Sequence, residues 1–95
     1  MKLKFTDHLK KRLSERKIPL EIIQEIFRNK GELYYDNLRK HQIMVSKVTY
    51  RNKLRKMLVA YDIIKRVAEV ITLHPITDEE IKQRLKIKRW SYEKN

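Results

Sequence analysis

His8, Arg12 and Arg16 recur at intervals of four residues, so on a helix they form one row beside the apolar pair Leu9 and Leu13. An imidazole and two guanidiniums edging a core can point into a cleft; the plainer reading is the solvated side of an amphipathic helix. His74 closes the most apolar run of the chain, Val67-Ala68-Glu69-Val70-Ile71-Thr72-Leu73-His74, directly before Pro75. A side chain at a strand end stands on a rigid scaffold where sites are common, although a histidine there can equally do no more than bond a loop carbonyl. Tyr61 and Asp62 end the preceding long apolar run, and Lys47 and Arg51 lie on the run before that. An antiparallel sheet can gather a phenol, an imidazole and cations from these runs, with register deciding which of them share a face.

These residue types suit cleavage of RNA without a metal. That reaction needs a base for the 2′-hydroxyl proton, cations for the charge on the phosphate and an acid for the leaving oxygen, roles open to His, Tyr, Lys and Arg. The C-terminal segment adds Lys82, Arg84, Lys86, Lys88 and Arg89, followed by Trp90 and Tyr92. It combines phosphate-binding charge with rings on which an unstacked base can lie. Trp90 can equally dock against a sheet, the commoner role of a lone tryptophan. No metal or cofactor is expected: the three histidines are isolated in sequence, Cys is absent, and the single Gly excludes a glycine-rich phosphate loop.

The charge supports a polyanion as partner. The chain of 95 residues carries 24 Lys plus Arg against 12 Asp plus Glu, a formal charge of +12. That surplus draws polyanions toward the surface. It is also unevenly placed, since residues 37 to 61 hold Arg39, Lys40, Lys47, Arg51, Lys53, Arg55 and Lys56 with no acid, whereas Leu20 to Phe27 hold Glu21 and Glu25 with no base. The length fits one domain over 1–95, and the absence of Cys suits a reducing compartment. The N-terminus lacks an apolar signal core and no apolar stretch reaches the roughly 18 residues that span a bilayer, so a cytoplasmic protein without membrane association is expected.

The elements that must position these groups follow from pattern. Lys2 to Phe5 alternates as a short strand, and Thr6 caps a helix running to about Lys17. Pro19 suits the first turn of a second helix through about Asn29, with Leu20, Ile23, Ile26 and Phe27 as its apolar side. Four β-branched and aromatic runs follow between Leu33 and His74, with Asp36-Asn37 and Arg51-Asn52 at turn positions. Links this short make the pairing antiparallel, a meander. Thr77-Asp78-Glu79-Glu80 is a capping box opening a helix to about Trp90. The expected class is α+β: an N-terminal helical hairpin packed on a small antiparallel β-meander sheet, helices on one side, with a basic C-terminal helix.

His8 with Arg12 and Arg16 before Lys17-Ile18, then Tyr34-Tyr35-Asp36, then the closing Val70-Ile71-Thr72-Leu73-His74-Pro75, resembles the RelE-like ribonuclease toxins and their small relatives near the BrnT group. The resemblance covers most of the chain as an order of elements and rests on short motifs. It implies a small antiparallel sheet covered by N-terminal helices, metal-independent cleavage of RNA, often messenger RNA on the ribosome, and an acidic antitoxin as partner. The family's last-strand basic residue falls at His74, its central-strand basic positions near Lys47 and Arg51, and His8 matches the helix histidine of the smaller relatives. This chain departs by having histidine where arginine is common and by its long basic C-terminal helix, so cleavage is altered or lost if those departures matter.

The reading that follows is an RNA-cleaving toxin in which His74 and His8 transfer protons, Tyr61 assists, and Arg12, Arg16, Lys47, Arg51, Arg84 and Arg89 hold the nucleic acid. Its rivals are a non-catalytic RNA- or DNA-binding module of the same fold, for which the cations matter and the histidines do not, and a subunit whose basic surface meets an acidic protein.

Overall fold

Two strands, at 41–50 and 53–64, are buried on both faces along their middle residues, and that property decides the architecture. The computed structural model describes residues 2–93. Its elements are β1 (Lys2–Phe5), α1 (Asp7–Glu15), α2 (Glu21–Asn29), β2 (Glu32–Asp36), β3 (His41–Tyr50), β4 (Lys53–Ile64), β5 (Val67–Pro75), α3 (Asp78–Lys86) and β6 (Trp90–Tyr92). Met44, Val48, Met57, Val59 and Tyr61 bury one face of the sheet against Leu9 and Leu13 of α1 and Ile22, Ile23 and Ile26 of α2. Ile43, Val45, Leu58 and Ala60 bury the other against Ile76, Ile81 of α3, Tyr34 and Trp90. A strand buried on both faces reads as a continuous apolar run, so each face needs a cover.

The expected small antiparallel meander under an N-terminal helical hairpin is therefore corrected. The sheet is large and mixed, six strands in the order β1-β5-β4-β3-β2-β6. β1 lies parallel to β5, Lys2 to Phe5 opposite Val67 to Val70, because its half-buried Leu3 and Phe5 find their apolar partners at that edge. The helices cover both faces rather than one, α1 and α2 on the first and α3 on the second. The last helix also stops short of Trp90. Its chain leaves through Lys88 at φ 61 and returns as β6, pairing antiparallel with β2 and burying the Trp90 ring 5.1 Å from that of Tyr34.

Local signals act where the sequence carries them. The Leu9 N–H donates to Thr6 Oγ1 at 3.1 Å, capping α1. Thr77 and Glu80 form the reciprocal capping box of α3. Lys30 closes α2 in the left-handed region, and the next residue must be glycine, since a Cβ on Gly31 would stand 1.9 Å from the Val45 carbonyl oxygen of β3. The β3–β4 and β4–β5 hairpins turn on Arg51-Asn52 and Lys65-Arg66, both residues of each pair at positive φ as a type I′ turn requires. No described helix is long and apolar enough to cross a membrane.

Candidate functional site

Three histidines that stand far apart in the sequence converge on one cavity of about 450 Å3. His8 comes from the first turn of α1, His41 from the start of β3 and His74 from the end of β5. Arg12, Arg39, Arg84 and Arg89 stand around them, with Asp36 as the one acid of the lining. The floor is apolar and includes Ile43, Leu58, Ala60 and Trp90 on the face that α3 covers.

A β-bulge puts His74 there. Ala60 pairs with Thr72 and Tyr61 with Val70, so Ile71 is an extra residue in β5. Val70 and Leu73 both face the α1 and α2 side, and Ile71, Thr72 and His74 all line the cavity on the other. Unbroken alternation from Val70 would have sent Thr72 and His74 toward α1 and α2 instead. Because β1 ends opposite Val70, β5 has no strand on its outer side from Ile71 onward among the described residues. It is there that α1, which starts immediately after β1, brings His8 and Arg12 to the cavity.

Asp36 builds the opposite wall. Its Oδ1 accepts from the backbone N–H groups of Leu38 at 2.9 Å and Arg39 at 3.0 Å, an arrangement that fixes the β2–β3 turn and presents Arg39. Its Oδ2 accepts from Arg89 Nη2 at 3.1 Å. Burial works against ionisation of this carboxyl, but the N–H of Arg39, the Arg89 guanidinium and the N–H of Leu38 outweigh it and hold the group below its ordinary 3.8. Arg89 is thus committed largely to Asp36, while the Arg84 guanidinium lies over the Trp90 ring at 4.9 Å.

Two of the imidazoles are oriented by hydrogen bonds. His41 Nδ1 lies 2.8 Å from Asp62 Oδ1, and His74 Nδ1 lies 3.0 Å from the Pro75 carbonyl oxygen. A carbonyl or a carboxylate can only accept, so each Nδ1 carries the proton and each Nε2 is left to accept or deliver one. The indole N–H of buried Trp90, in the floor of the cavity, has no partner among the described residues. The cavity therefore offers proton-transfer groups, guanidiniums and an apolar floor together, the set that a phosphodiester bearing a base requires.

Of the residues expected from sequence, His8, His74, Arg12, Arg84 and Arg89 meet here. Tyr61 does not: it is buried on the opposite face, edge to face with Phe27 at 4.9 Å, and its burial there pushes its phenol above 10.0. Lys47 lies beside Lys56 and Asp78 at the start of α3, and Arg16 and Arg51 share a separate groove. His41 and Thr72 escaped the sequence reading, which named Asp62 and Arg39 without giving either a place in the site. The signal for one pair was present, since counting back from a two-residue turn at Arg51-Asn52 sets Gln42 opposite Tyr61 and His41 opposite Asp62. Among the described residues no group of three or more His, Cys, Asp or Glu is placed to hold a metal ion. Compared with protein-family models, curated proteins and solved structures, the chain gives no match.

Proposed function

We propose that the protein is a metal-independent endoribonuclease whose reaction takes place in the three-histidine cavity, and that it acts as the toxin of a toxin–antitoxin pair. The observation that carries the nuclease reading is the convergence of His8, His41 and His74 with Arg12, Arg39 and Arg84 over an apolar floor. One imidazole takes the 2′-hydroxyl proton as that oxygen attacks the adjacent phosphorus, and a second returns a proton to the 5′-oxygen as its bond to phosphorus breaks. The oriented Nε2 atoms of His41 and His74 are the candidates for that pair, and His8 stands at the rim as a third. The guanidiniums neutralise charge that grows on the non-bridging oxygens. The toxin assignment is supported by the resemblance carried by His8, Arg12, Arg16 and the closing strand, and by the charge of +12, which an acidic antitoxin would neutralise. Messenger RNA and a cytoplasmic location accord with this reading.

The test is incubation of pure protein, with chelator, with naked RNA and with translating ribosomes, mapping new ends and repeating with His74→Ala. Cleavage in chelator that drops by about 10²–10⁴ in the variant supports the reading. RNA left intact but bound in a salt-sensitive way overturns it in favour of a non-catalytic RNA-binding module.

A further inference from the structure

α1 carries more than the rim of the cavity. Its row His8, Arg12 and Arg16 places the first two at the cavity, whereas Arg16 enters a second groove of about 470 Å3 that also includes Tyr50, Arg51, Arg55 and Lys17. That groove opens on the other side of β5, at Leu73 and Pro75, and Glu15 is its one acid. Arg16, the C-cap of α1, is eight positions beyond His8, about 12 Å along the axis, a span of a few nucleotides. Among the described residues β5 has no neighbouring strand beyond Val70, which leaves α1 as the element a strand of nucleic acid would cross between the two sites.

The groove is organised rather than merely basic. Arg51 lies over the Tyr50 ring at 5.1 Å and donates from Nη2 to the Arg16 carbonyl at 3.4 Å, while Arg55 Nε donates to the Tyr50 carbonyl at 3.0 Å. Backbone carbonyls thus aim the guanidiniums, and none of Arg16, Arg51 and Arg55 is in an ion pair among the described residues. Arg51 also sits at φ 52, where glycine or asparagine is the less strained choice, so a long cation is held at the tip of the hairpin at some expense of stability. Guanidiniums beside a half-buried ring suit phosphates and an unstacked base better than they suit carboxylates alone.

Building on the nuclease reading, we propose that the Arg16, Tyr50, Arg51 and Arg55 groove is a subsite for single-stranded RNA flanking the segment held in the histidine cavity. The substrate is then a strand of several nucleotides lying across α1, not a dinucleotide. The test is fluorescence anisotropy with a labelled single strand of about 12 nucleotides and with a dinucleotide. Arg51→Gly should weaken binding of the strand several-fold and lower its salt slope by about one, leave the dinucleotide unaffected, and give an equal or higher Tm. Tyr50→Leu should weaken the strand without changing the salt slope. Strand binding unchanged in both variants overturns the proposal, as does weakening confined to an oligoglutamate peptide. These readouts do not require cleavage: the expected binding pattern on RNA that stays intact keeps the subsite and removes only the nuclease.

Discussion

His41 and Asp62 face each other across β3 and β4, Nδ1 to Oδ1 at 2.8 Å, and this contact sets the proton-bearing nitrogen of a cavity histidine. The carboxylate is itself only partly buried, so it acts by holding the ring and its tautomer rather than as an isolated interior charge. Asp62→Asn keeps the shape but can present its amide N–H₂ to Nδ1 and move the proton to Nε2. On the proposed nuclease reading, turnover should fall at least tenfold, a part of the 10²–10⁴ that a positioned acid or base contributes, with little change in RNA affinity. Single-turnover rates and anisotropy on the same variant separate the two; equal rates would show that Asp62 has no positioning role.

Asp36 should make the fold sensitive to acid. Its carboxyl titrates below the ordinary 3.8 in the folded chain, so its contribution is fully present above that value and is lost as pH falls through the lower folded one. Asp36→Asn should cost about 2 kcal/mol at neutral pH, because Arg89 and the turn N–H groups lose a charged acceptor, with the partial exposure of Arg89 moderating the loss. The penalty should shrink progressively as pH falls below 3.8 toward the lower folded pKa of the native residue. Urea unfolding of both proteins at pH 7 and at a series of lower pH values measures this.

Gly31→Ala should destabilise by about 2 kcal/mol or more, because the added methyl meets the backbone of β3, which cannot move without disturbing the sheet. A urea midpoint equal to that of the native chain would mean that the α2–β2 connection shifts freely.

Arg66→Gly should do the reverse. Lys65 and Arg66 turn the β4–β5 hairpin at φ 49 and 65, and glycine removes the steric cost of the second position. The larger backbone entropy of glycine in the unfolded chain offsets part of the gain, leaving about 0.5–1 kcal/mol. A rise in Tm of a few degrees is expected for a domain this small.

By itself the sequence determined what local physics encodes. Thr6 and the Thr77–Glu80 box start their helices, the Leu9–Leu13 stripe faces the core, and the Arg51-Asn52 turn joins two long apolar strands. The excess of cations and the row His8, Arg12 and Arg16 were equally visible. The tertiary structure decided the rest, for reasons that no local pattern contains. β1 finds its parallel partner 65 residues away, Lys2 opposite Val67, and β6 forms because Trp90 is worth more packed on Tyr34 than extended on a helix. The runs of β3 and β4 did hold a sign of two covered faces, which a search for alternation passes over. The site depended most on geometry: one extra residue in β5 reverses the face of His74, and register alone sends Tyr61 away from the cavity and His41 into it. A strand's side-chain period is two, so a single unpaired residue exchanges what the core receives for what the site receives, and only the paired sheet fixes where that residue falls.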